Sequence, residues 1–91
     1  MLAVLTSPTP GSTLAGSTVT FTWTAGAGPT AYQLELGTTG VGSSNLYNSG
    51  GTTATTETVS GLPTTGVKVY ARLYQKIDGK WQSTDYTYTA Q

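Results

Sequence analysis

Three aromatic residues near the end of the chain have a spacing suited to binding a linear sugar chain. Tyr70 and Tyr74 are four residues apart, and Trp81 follows them beyond an Asp-Gly turn signal. Four residues of a β-strand span about 13 Å, at about 3.3 Å per residue, which matches a few linked sugar units. Sugar rings stack their apolar C–H faces on aromatic rings, while planar polar side chains such as that of Arg72 can bind the hydroxyl groups.

Residue types suited to catalysis or metal binding are scarce. The chain has no His and no Cys, which removes the commonest general base, the commonest metal ligand and any disulfide. The four acids could in principle supply the carboxylate pair of a glycoside hydrolase, but a sheet face lacks the enclosed pocket that catalysis needs. We therefore expect no enzyme, no cofactor and no metal site, although backbone carbonyls could still form a calcium site. The acids are Glu35, Glu57, Asp78 and Asp85.

Length and composition predict one small secreted domain over residues 1–91. Charged residues make up only 9% of the chain, and frequent, regularly placed aromatic residues argue against disorder. Because the net charge is zero, we expect no basic patch and therefore neither nucleic acid nor a membrane as a partner. Residues 1–5 are too short for a secretion signal, so we expect an extracellular domain that begins inside a longer protein.

Turn signals about every ten residues, separated by alternating apolar residues, predict an all-β fold without helices. We expect a two-sheet antiparallel β-sandwich whose strands cover residues 2–6, 17–24, 31–36, 45–48, 53–59, 67–76 and 81–89. The predicted core consists of Val19, Phe21, Trp23, Leu34, Leu36, Val69 and Leu73. One conflict remains, because an inward Val59 puts Glu57 on the same face; a bulge or an edge position would resolve it.

The last two strands form a hairpin whose register follows from its turn. Asp78-Gly79 is a strong signal for a two-residue type I′ turn. Counting back from that turn places Arg72 opposite Asp85 and Lys76 opposite Trp81. The pairing of opposite charges and the gathering of apolar residues on one face both support this register.

The other face of the hairpin carries the aromatic and charged residues. Burying Arg72 and Lys76 would cost several kcal/mol each without full pairing, so this face cannot be the core. We therefore expect Tyr70, Tyr74 and Trp81 to be exposed, coplanar rings on a sheet surface.

Several segments resemble known modules. The Phe-Thr-Trp strand at 21–23, the strand 32–37, and the run 58–63 leading into 69–74 resemble fibronectin type III and related immunoglobulin-like modules of secreted bacterial proteins. That resemblance implies a three-stranded sheet against a four-stranded sheet, with the aromatic face on the larger. The chain departs from the fibronectin pattern at residues 66–67, Gly-Val, where a tyrosine is often found.

In composition the chain is also similar to small carbohydrate-binding modules of bacterial cellulases, among which family 81 is the suspected one. This similarity implies a non-catalytic module that holds an appended glycoside hydrolase on plant-wall β-glucan such as cellulose or xyloglucan. Because a sheet face offers a shallow, wet site, we expect micromolar to millimolar affinity. The expected site residues are Trp81, Tyr74, Tyr70, Arg72, Asp85, Gln33 and Glu35. Two alternatives remain open: a structural spacer or adhesin module without a carbohydrate ligand, and a homodimer through the same surface.

Overall fold

The computed structural model describes residues 2–91. The domain was predicted over residues 1–91, so its first residue, Met1, lies outside the described residues. These residues form seven strands and no helix. The strands are β1 (Leu5–Ser7), β2 (Val19–Trp23), β3 (Ala31–Gly37), β4 (Tyr47–Asn48), β5 (Thr56–Val59), β6 (Lys68–Ile77) and β7 (Lys80–Thr89).

The strands pair into two antiparallel sheets. One sheet has the order β1-β2-β5 and the other the order β4-β3-β6-β7. The predicted all-β fold with two antiparallel sheets is confirmed. The sheet sizes also agree with those that the resemblance implied, whereas membership of the fibronectin type III family stays a prediction.

The core lies between the inner faces of the two sheets. All seven residues predicted for it are buried. Phe21 packs edge-on against Tyr88, with ring centroids 5.7 Å apart, and Tyr88 reaches the rim, where its hydroxyl donates to the Pro8 carbonyl. Burial raises the pKa of the Tyr88 hydroxyl well above its usual range. Alternation of apolar residues therefore predicted the core correctly, because each strand buries one face.

Gln75 is a buried polar residue that the sequence patterns did not single out. It lies on the inner face of β6 and is fully buried. Its side-chain oxygen accepts a hydrogen bond from Ala3 N at 2.8 Å, and its side-chain nitrogen donates to Ala3 O at 3.3 Å. The side chain therefore holds the segment before β1 against the four-stranded sheet, much as a neighbouring strand would.

The conflict at Glu57 is resolved by an edge position. β5 is an edge strand of the smaller sheet and β4 an edge strand of the larger one. Glu57 is half-buried there and accepts a hydrogen bond from the Tyr47 hydroxyl at 3.0 Å. Burial and the neighbouring Glu57 carboxylate raise the pKa of Tyr47. The pair connects the edges of the two sheets.

Candidate functional site

The β6–β7 hairpin positions the predicted site residues. Asp78 and Gly79 have φ angles of 52° and 76°, and a type I′ turn requires positive φ at both. Arg72 pairs with Asp85, as predicted, and the rest of the predicted register is confirmed as well. The surface formed by the side chains of the four-stranded sheet that point away from the core is called the outer face.

A charged pair lies at the centre of the outer face. Arg72 Nε donates to Asp85 Oδ1 at 2.7 Å and Arg72 Nη2 donates to Asp85 Oδ2 at 3.2 Å. A third nitrogen, Nη1, lies 3.5 Å from the Tyr74 hydroxyl. These hydrogen bonds, that to Asp85 first, raise the pKa of Arg72 above its usual range. The hydrogen bonds therefore hold the guanidinium group of Arg72 in one orientation, and the group stays protonated.

Polar side chains of β3 and β4 continue the row that Arg72 and Asp85 begin. Glu35 pairs in register with Arg72 on one side and with Asn48 on the other. The Gln33 side-chain nitrogen donates to Glu35 Oε2 at 2.8 Å and to Asn48 Oδ1 at 3.2 Å. The structure therefore brings both predicted β3 residues to the site and adds Asn48, which lies in a strand of only two residues whose alternation could not be read from the sequence.

The aromatic rings do not form the expected coplanar surface. Tyr70 and Tyr74 are half-buried, and among residues 2–91 Trp81 is the one aromatic side chain that is largely exposed, at 45%. The ring planes of Tyr74 and Trp81 meet at 88°, with centroids 6.5 Å apart. Ring orientation depends on side-chain torsions, which the register does not determine, so the expectation of three exposed, coplanar rings is wrong.

Each ring of the outer face has a cation beside it. The distances from cation to ring centroid are 5.3 Å for Lys68 and Tyr70, 5.8 Å for Arg72 and Tyr74, and 5.9 Å for Lys76 and Trp81. Cations at these distances are attracted to the ring faces. They also cover part of the aromatic surface, which reduces the area open to a ligand.

The expectation of no clustered basic residues is wrong. All four basic residues lie within residues 68–80, at intervals of four. Because an even interval keeps side chains on one face of a strand, Lys68, Arg72 and Lys76 all lie on the outer face. Lys80 pairs with Ile77 and lies on the opposite face of the hairpin. The four-residue spacing of these basic residues is visible in the sequence and could have predicted the cluster. That nucleic acid and membranes are not partners stays a prediction.

The loop formed by residues 38–46 covers one end of the outer face. Gly37 is opposite Tyr70 and is buried, and a side chain at Gly37 would collide with the loop. A β-carbon at Gly42 would lie 2.9 Å from Arg72 Nη1. The loop therefore lies over the Gly37 end of β3 and against Arg72. The other end of the outer face, which carries Trp81 and Lys76 beside the turn, is called the open end.

The open end is a shallow surface. The described residues, 2–91, enclose no cavity, and within them no three His, Cys, Asp or Glu side chains come together as metal ligands would. No helix long and apolar enough to cross a membrane occurs in this part of the chain. No protein-family model matches the sequence, and no curated protein matches it at a significant level.

Proposed function

We propose that the open end of the outer face binds polysaccharide, and that the chain is a non-catalytic module which holds an appended glycoside hydrolase on plant-wall β-glucan outside the cell. One observation carries the proposal. The exposed ring of Trp81 lies on the same sheet face as the fixed polar groups of Arg72, Asp85, Gln33 and Glu35. An apolar surface beside oriented donors and acceptors is what a sugar ring requires.

The geometry also suits weak binding. Trp81 would stack on one sugar unit, and its edge contact with Tyr74 limits the orientations that its ring can take. Arg72 and Asp85 are already paired, so they would bind hydroxyl groups without first losing side-chain freedom. A shallow site of this kind gives micromolar to millimolar affinity, about −8 to −4 kcal/mol. Such affinity suffices for a module tethered to an enzyme, because the tether raises the local concentration.

A structural spacer is the second candidate, and the cations favour it. Lys68 and Arg72 lie beside the half-buried rings of Tyr70 and Tyr74, so these two rings are explained by contacts within the sheet. In a spacer, Trp81 would be one exposed apolar residue of the kind that most protein surfaces have.

The two tryptophans provide the experiment that separates the candidates. A soluble β-glucan oligosaccharide is titrated into isotopically labelled protein, and the two indole N–H signals are followed by NMR. The proposal predicts that the Trp81 signal and the amide signals of β3, β6 and β7 shift progressively. The indole of Trp23, which is buried in the core, is the internal control and should not shift. No shift at millimolar oligosaccharide, for glucans of several linkages, would favour the spacer.

A further inference from the structure

We propose that the glycans preferred by this face are acidic, and that Lys76 binds the carboxylate of a uronate unit beside the sugar stacked on Trp81. This inference rests on the proposed function, polysaccharide binding at the open end, and replaces neutral β-glucan by an acidic plant-wall polysaccharide as the preferred ligand. Lys76 and Trp81 are directly paired across the hairpin, and Lys76 Nζ lies 5.9 Å from the centroid of the Trp81 ring. The Lys76 ammonium and the exposed Trp81 ring therefore lie side by side at the open end of the face.

The Lys76 ammonium has no acidic partner within the described residues. Their one ion pair joins Arg72 to Asp85, so no carboxylate oxygen of these residues lies within 4.0 Å of Lys76 Nζ. The residue beside Lys76 on β3 is Ala31, which has no charge. Asp78, the acid nearest in sequence, lies in the turn and forms no ion pair either.

The two acids of the outer face, Asp85 and Glu35, accept hydrogen bonds from residues other than Lys76. Both carboxylate oxygens of Asp85 accept hydrogen bonds from Arg72. Glu35 accepts a hydrogen bond from Gln33 and pairs in register with Arg72. The acids of this face therefore lie at its centre beside Arg72, whereas the open end carries the positive charge of Lys76 without an ion pair.

An uncompensated ammonium beside an exposed ring favours an anionic sugar over a neutral one. Lys offers three donors and no acceptor, and a carboxylate adds the attraction of its negative charge to the hydrogen bond, which a neutral hydroxyl group does not. Its four-carbon stem is flexible, so the ammonium can move from the indole to a carboxylate at the edge of a stacked sugar ring. Lys68 does not provide the same position, because the ring beside it, Tyr70, is half-buried, whereas Trp81 is exposed.

The test compares two ligands that differ in a single group. A cello-oligosaccharide and the same oligosaccharide oxidised to the carboxylate at C6 are titrated, and the dissociation constant of each is measured. We expect the acidic ligand to bind about three- to fivefold more tightly, as an exposed ion pair allows. We expect about 0.5 M NaCl to reduce this preference, because salt screens exposed charges.

Lys76→Met should abolish the preference while leaving affinity for the neutral oligosaccharide within about twofold, since the apolar stem is kept. Lys80→Met is the matched control: it changes the net charge equally but on the opposite face, and should retain the preference. Equal affinity of the parent for both ligands, a preference that survives Lys76→Met, or its loss in both variants would overturn the inference. Binding of both ligands with equal affinity would leave the proposed function standing, whereas binding of neither would remove it.

Discussion

Replacing Trp81 by alanine should separate binding from folding. The variant loses the exposed ring and two contacts, the edge contact with Tyr74 and the cation contact with Lys76. Aromatic pairs contribute about 0.5–1.5 kcal/mol, and exposed cation contacts about 0.5–1 kcal/mol. We therefore expect the free energy of unfolding to fall by about 1–2.5 kcal/mol, which leaves the domain folded.

Binding should fall further than stability. Loss of the stacking surface should remove about 1.4 kcal/mol, which corresponds to roughly tenfold weaker retention on a β-glucan affinity gel. Tyr74→Ala should weaken retention less, because Tyr74 acts mainly by supporting the Trp81 ring. Tyr70→Ala should weaken it least, since Tyr70 is half-buried and lies four residues further from the turn along β6 than Tyr74.

Trp23→Ala is the control for folding. Trp23 is 3% exposed and packs against Tyr32 with ring centroids 6.1 Å apart. Its removal should cost about 3–5 kcal/mol, as for other large core residues. Urea unfolding of the three proteins measures these differences. The proposed role of Trp81 would be refuted if Trp81→Ala were destabilised as much as Trp23→Ala, or if it were retained on glucan as strongly as the parent.

Two further predictions concern the core and its rim. Gln75→Leu leaves the N–H and C=O groups of Ala3 without their partner, so the free energy of unfolding should fall by about 1–3 kcal/mol per group that stays buried. Urea unfolding measures this, and an unchanged midpoint would show that Gln75 does not anchor the N-terminal segment. Because burial raises the pKa of Tyr88, the unfolded state loses this proton first as pH increases. Stability should therefore decrease above about pH 10, by up to about 1.4 kcal/mol per pH unit for this group. Urea unfolding between pH 9 and 11 should show a shallower decrease for Tyr88→Phe, and identical slopes would contradict the assignment to Tyr88.

The sequence predicted the hairpin in detail because its turn fixes the register. Asp78-Gly79 adopts positive φ angles readily, and once the turn is known every pair of β6 and β7 follows by counting. A side-chain period of two then decides which residues point inward. The location of Arg72 and Asp85 on the outer face therefore needed no information from elsewhere in the chain.

Contacts between distant segments could not be predicted in the same way. The partner of Gln75 is the backbone of Ala3, 72 residues away, and no local pattern connects them. The path of the 38–46 loop over Gly37 depends on tertiary contacts, since a Gly- and Ser-rich segment is compatible with many conformations. The perpendicular rings of Tyr74 and Trp81 depend on side-chain torsions and on the neighbouring cations.

The cations beside the three aromatic rings separate Trp81, a candidate for ligand binding, from Tyr70 and Tyr74. Tyr70 and Tyr74 are half-buried beside cations, so β-sheet stability alone accounts for them. A single exposed ring such as Trp81 is also ordinary on a protein surface. Trp81 differs in its surroundings, because an uncompensated ammonium and a fixed ion pair share its sheet face. A spacer role does not account for that combination, whereas an acidic sugar would stack on Trp81 and pair with Lys76. The test of function therefore lies at the open end of the face, with Trp81 and Lys76.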